Sequence, residues 1–258
     1  MATLRDVEQA IFTLAPKELA EEWDNVGLLV GHTGREVTKI LVALDVTEWV
    51  VEEAVRLGAN LIVSHHPVMN CAWHKVQSVR DDDPQGRLLL CLIESGVGCV
   101  CMHTNLDKAE GGVNDALAVR LGLTGVRELD GGDGILRTGA IKEMTCIEFA
   151  AIVKEKLGAG GVRFIDTGRP VRRVAVGGGA CGGYFRTAAA AGCDALVTAD
   201  VKYDQFLEAR ALDLNLLDAG HFPTENVVCA PLARRLAKAF PQIKVTVSQV
   251  HKEVYSNA

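Results

Sequence analysis

The sequence predicts an α/β protein made of two related units, each built around a mainly parallel sheet. Short apolar runs of strand length alternate with stretches whose apolar residues recur at helical spacing. Glycine, proline and other turn residues separate these segments along the whole chain. Similar runs of residues also recur, in the same order, in the two halves of the chain. This combination is typical of folds in which helices connect parallel strands.

The clearest strand–helix–strand unit lies in the first quarter of the chain. Lys39–Val46 and Leu61–Ser64 are apolar runs, and each predicts a buried strand. A helix is predicted between them at Glu48–Leu57, because Thr47 can cap its start and Gly58 can end it. Such a short connection favours parallel strands joined by a right-handed crossover.

The remaining elements follow from the same patterns. In the first half, a strand is predicted at 97–102, and helices at 3–14, 87–95 and 113–121. In the second half, strands are predicted at 162–166, 174–176, 193–199, 214–218 and 244–250, and helices at 147–157, 185–191, 205–210 and 227–239. Residues 70–87 interrupt this alternation of strands and helices. They predict a partly mobile loop over the opening of a site.

An internal duplication organises the chain. Residues 58–66 parallel residues 192–200, and residues 103–107 parallel residues 221–225. Glycines between 124 and 139 mark a change of composition between the halves. We therefore predict a first domain from 1–125 plus 226–258, a second from 126–225, and a functional site between the two units. The alignment also predicts Ala199 and Asp200 at the positions equivalent to His65 and His66.

Three clusters of histidine and carboxylate residues each follow a predicted strand. They are His65 and His66 after the strand at 61–64, His103 and Asp107 after the strand at 97–102, and His221 and Glu225 after the strand at 214–218. Ligands of open parallel sheets bind beyond the carboxyl ends of the strands. A lone histidine at such a position is most often an ordinary polar loop residue. Three clusters together favour metal binding.

This set of donors is typical of a site for divalent transition metals. Four imidazoles and two carboxylates suit zinc, iron, manganese or nickel. One tetrahedral ion needs about four ligands, so six donors indicate two ions sharing a carboxylate and a bridging water. Two ions would lower the pKa of that water and so favour hydrolytic chemistry. If one of the six is not a ligand, we expect it to be His103, acting as a general acid or base or contacting the substrate.

Several other polar residues have two interpretations. Trp23 and the Asp24–Asn25 pair form either a plain turn or part of the lining of the site. Asp45 ends a strand beside the histidines, and it is either a hydrogen-bond partner of a ligand or merely polar at a strand end. His74 is expected to be a decoy, and the aspartates at 81–83 a solvated turn.

A glycine-rich segment at 177–183 follows the predicted strand at 174–176. Such a turn before a helix can bind phosphate at the helix N-terminus. Neither the Rossmann spacing nor a Walker lysine is present, however. We therefore favour glycines needed for tight packing over a phosphate-binding loop.

Composition and charge restrict the class of protein. The chain has 258 residues, of which 48% are apolar, and its net charge of −6 without a basic run argues against a nucleic-acid partner. No apolar run reaches the length of a membrane span, and the charged amino-terminal residues do not resemble a signal peptide. Cysteines mostly adjoin apolar runs and no Cys-x-x-Cys occurs, which favours a reducing, cytoplasmic setting over a disulfide framework. Cys99 and Cys101 would share one face of a strand, but metal binding by this pair is disfavoured.

The clusters and their flanks match the motifs of a known family. These motifs are WDNVGLLVG at 23–31, ALDVTEWVVEEA at 43–54, VSHHP at 63–67, HTNLD at 103–107, VTADVKY at 197–203 and DAGHFPTE at 218–225. With them the chain resembles the Nif-three-like (NGG-interacting factor three-like) family, also known as GTP cyclohydrolase I type 2 homologues. The resemblance implies two related α/β domains, a ring-shaped homohexamer and a binuclear metal site. It also implies the metal ligands His65, His66, Asp107, His221 and Glu225, with His103 adjacent.

We expect a metal-dependent hydrolase that acts on a small-molecule substrate. The family label implies a nucleotide, GTP, whose guanine ring is opened by water. The alternative is a non-catalytic protein that binds metal ions and passes them, or a signal, to a partner. A third interpretation is nucleotide binding by the glycine-rich segment without chemistry, which predicts GTP binding that survives metal removal.

Overall fold

The computed structural model describes residues 2–70 and 75–256 of the chain. Trp73 and His74, the latter expected to be a decoy, lie outside the described residues. The strands of the described part are β1 (Gly27–Val30), β2 (Lys39–Ala43), β3 (Leu61–Ser64), β4 (Gly98–Cys101), β5 (Thr124–Glu128), β6 (Arg137–Met144), β7 (Arg163–Ile165), β8 (Val171–Val176), β9 (Ala195–Thr198), β10 (Asn215–Asp218) and β11 (Lys244–Val247).

Helices precede or follow most of these strands. The α-helices of the described part are α1 (Leu4–Leu14), α2 (Glu48–Leu57), α3 (Pro84–Glu94), α4 (Thr104–Lys108), α5 (Val113–Leu121), α6 (Cys146–Leu157), α7 (Phe185–Ala190), α8 (Tyr203–Ala211), α9 (His221–Glu225) and α10 (Cys229–Ala239). None of these helices has the length and apolar composition needed to cross a membrane.

The chain divides into two compact units. The first contains Met1–Glu110 and Cys229–Lys252, and the second contains Gly111–Val228 and Glu253–Ala258. These boundaries differ from the domains predicted at 1–125 plus 226–258 and at 126–225. Residues 111–125 fall in the second unit because Leu117 and Leu121 of α5 share an apolar core with Phe149 of α6.

The first unit is built on a five-stranded sheet in the order β1-β4-β3-β2-β11. Its β11, β2, β3 and β4 are parallel, and β1 is antiparallel to β4 at one edge. Ile40, Leu41, Ile62 and Val63 are fully buried in β2 and β3, as their unbroken apolar runs predict. The carboxyl ends of the parallel strands therefore share one edge of this sheet.

Local capping sets the bounds of α2, which connects β2 to β3. The Thr47 side chain accepts a hydrogen bond from the Val50 amide, and Gly58 ends the helix with a φ of 69°. Glycine adopts this left-handed conformation without the penalty that a β-carbon brings. The helix therefore has the same bounds in the structure as in the sequence-based prediction.

The second unit has a six-stranded mixed sheet in the order β5-β6-β8-β9-β10-β7. Its central β8, β9 and β10 are parallel, and β5, β6 and β7 are joined by antiparallel pairings. A capping box between Thr145 and Glu148 starts α6, and Gly158 ends it.

Both sheets contain three parallel strands followed by an antiparallel edge strand, β2-β3-β4-β1 and β8-β9-β10-β7. The internal duplication itself stays a prediction.

The structure differs from the sequence-based predictions at a predicted boundary and at the start of one helix. The glycine-containing stretch from 124 to 139, predicted as a boundary, contains β5 and the start of β6. The residues of β5 are mostly exposed, so no alternating apolar pattern marks this edge strand. Helix α3 begins at Pro84 instead of Arg87 because the Asp83 side chain caps it by accepting a hydrogen bond from Gly86.

Candidate metal centre

The four candidate histidines share one feature, which is an oxygen acceptor at Nδ1. The pairs and their distances are His65 with the Met102 carbonyl (2.9 Å), His66 with Asp45 (2.7 Å), His103 with Asp24 (2.9 Å) and His221 with Asp200 (2.6 Å). An acceptor at Nδ1 holds a ring proton there, which leaves Nε2 as the nitrogen that can bind a metal ion. This second hydrogen bond is typical of histidines that bind metal ions through Nε2.

His65 is the most deeply buried of the four, with 1% of its surface exposed. It follows β3 directly, and its Nδ1 faces the carbonyl of Met102, the residue that follows the neighbouring β4. A carbonyl oxygen only accepts, so Nδ1 must carry the proton. Nε2 of His65 lies 3.6 Å from Oδ1 of Asp107. An imidazole and a carboxylate thus approach each other inside the first unit.

Asp45 lies between two imidazoles at the end of β2. Its Oδ1 contacts Nδ1 of His66 at 2.7 Å, and its Oδ2 contacts Nε2 of His251 at 2.8 Å. Burial alone would raise the pKa of Asp45, but the hydrogen bonds from His251 and His66 hold it well below its usual value. Of the two interpretations left open for Asp45, the structure supports the hydrogen-bond partner of a candidate ligand.

His103 is held by the motif that begins at Trp23. The fully buried Asp24 carboxylate accepts hydrogen bonds from His103 Nδ1 and from the backbone and hydroxyl of Thr104. Burial acts to raise the pKa of Asp24, but its partners His103 and Thr104 lower it to about 2. The Trp23 ring packs edge-on against His103, with centroids 6.0 Å apart. This motif therefore lines the site instead of forming a plain turn.

The first unit brings three of the predicted histidines together. One ring nitrogen from each of His65, His66 and His103 lies within 4.8 Å of the others. The three ring centroids are separated by 4.9 Å, 5.2 Å and 5.5 Å. Asp107 joins them because α4 begins after His103, and one helical turn separates the two residues. The first unit thus presents three imidazoles and a carboxylate.

The second unit brings His221 and Glu225 together on α9. Nε2 of His221 lies 3.0 Å from Oε2 of Glu225, one helical turn away. Burial would lower the pKa of His221, but hydrogen bonds to Asp200 and Glu225 raise it to about 11. Asp200 follows β9, and it adopts a positive φ of 52°. It contacts Nδ1 of His221, a role that its predicted equivalence to His66 did not indicate.

The glycine-rich segment packs against α9. A β-carbon at Gly179 would lie 2.0 Å from Oε1 of Glu225 and 3.1 Å from Nε2 of His221. The amides of Gly178 and Gly179 donate to the side chains of Asn114 and Thr224. Both amides therefore already have acceptors within the unit. This supports the packing interpretation of the glycines over the phosphate-binding one.

The donor chemistry of each unit fits a divalent metal ion. Imidazole suits zinc, copper, iron and nickel, and a carboxylate next to it adds negative charge and hardness. The cysteine pair in β4 does not add to this set, because the buried Cys101 thiol donates to the carbonyl of His65. Burial raises the pKa of Cys99 to about 12, which disfavours its thiolate. Among the described residues, the histidine and carboxylate groups are therefore the ones that could bind a metal ion.

His251 is the residue that the sequence analysis missed. It follows β11, which pairs in parallel with β2, so it lies at the same strand ends as Asp45. The sequence predicted a strand over 244–250 returning to a sheet. Ligands of open parallel sheets bind beyond the carboxyl ends of the strands. Applied to that predicted strand, this rule could have identified His251 as a candidate residue of the site.

This fold and these groups define a mixed α/β protein with histidine and acidic side chains that could bind a metal ion. The chain belongs to the Duf34/NIF3 (NGG1p interacting factor 3) family, whose family model matches residues 2–254. The resemblance found in the sequence motifs is thereby confirmed.

Known proteins are similar to this chain over nearly its whole length. A Clostridium perfringens protein named GTP cyclohydrolase 1 type 2 homolog is 33% identical over 260 residues, which cover 98% of each chain. A Streptomyces coelicolor protein of the same name is 40% identical over 237 residues, covering 87% of this chain and 82% of that protein. The crystal structure of Staphylococcus aureus protein SA1388 has a TM-score of 0.93 at 29% identity, covering 100% of this chain and 99% of that chain.

Proposed function

We propose that this protein is a metal-dependent hydrolase that binds two divalent ions through His65, His66, Asp107, His221 and Glu225. One observation carries the proposal, namely that an oxygen holds Nδ1 in all four candidate histidines, which leaves Nε2 as the nitrogen that can bind a metal ion. Ordinary surface histidines need no such arrangement, whereas metal ligands commonly have it. The five ligands exceed what one tetrahedral ion requires, which favours two ions.

The remaining histidine, His103, is proposed to transfer protons during the reaction. Asp24 fixes its Nδ1, so that Nε2 is the nitrogen that can exchange a proton with the substrate. Trp23 restricts the ring on one side. The bound ions would supply a polarised substrate oxygen and a lowered pKa of coordinated water.

A nucleotide is the substrate class that we propose. The names of the Clostridium perfringens and Streptomyces coelicolor relatives support GTP and hydrolytic opening of its guanine ring. The proposed general acid or base and the metal ligands are the groups that such a hydrolysis needs.

Metal stoichiometry measured by mass spectrometry tests the proposed centre. We expect close to two ions per chain in the wild type and loss of metal in a His65→Ala/Asp107→Ala variant. The matched control is His32→Ala/Asp81→Ala, which removes an exposed histidine and an exposed aspartate. No metal under any loading condition would overturn the proposal. A single ion that dialyses away would favour the alternative, a protein that handles metal without catalysis.

GTP turnover, monitored as the loss of guanine absorbance, distinguishes the metal ligands from the proton-transfer residue. A His103→Ala variant is expected to keep its metal and to lose about 10²- to 10⁴-fold in rate. Loss of metal from this variant would instead make His103 a ligand. A fully loaded wild type that turns over neither GTP nor other nucleotides would favour the non-catalytic alternative.

We also propose a homohexamer, which rests on the family resemblance. Light scattering of the purified protein tests it, and we expect a mass six times that of one chain. A mass equal to that of one chain across a range of concentrations would contradict the hexamer.

A further inference from the structure

We propose that His251 is a positioning residue of the metal centre, which acts on His66 through Asp45. This inference rests on the proposed metal site and goes beyond it, because it adds the segment after the last strand to that site. His251 is not proposed as a ligand. Its role is to fix the carboxylate that in turn fixes the ring of a ligand.

The Asp45 carboxylate uses its two oxygens for two different imidazoles. Oδ1 accepts from Nδ1 of His66 at 2.7 Å, and Oδ2 accepts from Nε2 of His251 at 2.8 Å. Both distances are those of charge-assisted hydrogen bonds, which are stronger than neutral ones. With both oxygens held, the carboxylate cannot rotate without breaking one of the two bonds. The His66 ring is therefore oriented by a group that is itself fixed from its other side.

The sequence brings His251 to this position through the register of β11. Val247 pairs with Val42 of β2, and the amide of the next residue, Ser248, donates to the Val42 carbonyl at 2.8 Å. The parallel pairing sets the carboxyl end of β11 beside the carboxyl end of β2. Asp45 follows β2 by two residues, and His251 follows β11 by four.

A buried carboxylate on α2 holds the segment that carries His251. Glu53 is only 3% exposed, and it accepts hydrogen bonds from the Ser248 hydroxyl (2.5 Å) and the Gln249 amide (3.0 Å). The Ser248 hydroxyl oxygen also accepts from the His251 amide at 3.2 Å. Burying a charge is costly unless hydrogen bonds compensate it, so this arrangement specifies one conformation of the segment.

Cobalt titration provides the test, because the visible absorption of bound Co²⁺ reports both affinity and ligand geometry. We expect His251→Phe, which keeps a ring but loses the donor, to weaken Co²⁺ binding by about 10- to 100-fold and to change the spectrum. His251→Gln places an amide donor near the position of Nε2, and it should restore most of the affinity. The matched control is His32→Phe, at an exposed histidine, which should leave the affinity and the spectrum unchanged.

A double-mutant cycle distinguishes positioning from a merely structural effect. If His251 acts through Asp45, then adding His251→Phe to Asp45→Ala should cause little further loss of Co²⁺ affinity. Asp45→Ala has already removed the carboxylate that links His251 to His66. Additive losses would overturn the inference. Should His251→Phe fail to fold, His251→Asn serves in the same cycle, since its shorter side chain cannot make the contact and stays polar.

The outcomes for the proposed centre and for His251 are distinct. Wild-type protein that binds no Co²⁺ would overturn the proposed centre together with this inference. Wild-type protein that binds Co²⁺, with His251→Phe binding it equally well, would overturn the role of His251 alone.

Discussion

Gly179 lies against Glu225 so closely that a β-carbon on the glycine would be 2.0 Å from Oε1 of the carboxylate. Gly179 also has a positive φ of 60°, which residues with a side chain rarely adopt. The glycine-rich segment thus makes room for one of the candidate ligands. This relationship makes Gly179 as much a part of the site as the residues that carry polar groups.

A Gly179→Ala variant is expected to lose stability and metal together. The added methyl group must displace Glu225 or the loop, at a cost of about 1–3 kcal/mol in the free energy of unfolding. Urea denaturation measures the stability, and mass spectrometry measures the metal content. Gly183→Ala is the matched control, since a β-carbon at Gly183 meets nothing within 4 Å. Equal stability and metal content in the two variants would contradict the close approach.

The capping box of α6 gives a prediction that concerns stability alone. Thr145 accepts a hydrogen bond from the Glu148 amide, while the Glu148 carboxylate accepts from the Thr145 amide and hydroxyl. Thr145→Ala should lower the free energy of unfolding by about 1 kcal/mol, measured by chemical denaturation. Thr145→Ser keeps the cap and should stay within a few tenths of a kcal/mol of the wild type. Metal content should not change in either variant.

The thiol of Cys99 should be inert in the folded protein. Complete burial raises its pKa to about 12, so the folded state favours the protonated thiol. At pH 8 only about one thiol in 10⁴ is then ionised, and alkylation requires the thiolate. We expect iodoacetamide to leave Cys99 unmodified at pH 8 in buffer and to modify it in urea, as peptide mass spectrometry would show. Rapid modification without urea would mean that β4 opens locally.

The same shift predicts how Cys99 contributes to the pH dependence of stability. Because the folded-state pKa is raised, the contribution of the protonated thiol is fully present below the unfolded-state pKa of about 8.5. It is lost as the pH rises from there toward 12. The stability difference between wild type and Cys99→Ala should therefore stay constant up to about pH 8 and shift against the wild type above it. A difference that does not change up to pH 11 would contradict the raised pKa.

Local signals were the reliable part of the sequence. Both α2 and α5 have the bounds that the sequence predicts, because Gly58 and Gly122 end them with left-handed conformations and need no distant partner. The candidate clusters follow their strands for the same reason, since His66 and His103 are placed by the ends of β3 and β4. Short-range sequence patterns therefore predict the structure that depends only on neighbouring residues.

Contacts between distant residues were the part that the pattern could not supply. Asp24 meets His103 across 79 positions of the chain, and His251 meets Asp45 across 206. Nothing in the spacing of the residues encodes these pairs, because they depend on which strands become neighbours. The same limit applies to β5, whose exposed residues carry no apolar period and whose strand conformation comes from pairing with β6.

The pairing of β11 with β2 has a consequence for the order of events during protein synthesis. Residues near position 40 leave the ribosome well before residues 244–247, which pair with them to complete that edge of the sheet. At about 5–20 residues per second, this interval lasts on the order of ten seconds or more. Until then Asp45 has no His251 to hold it, and β2 presents an open edge in a nascent chain. The sheet of the first unit is therefore complete only after β11 has been translated.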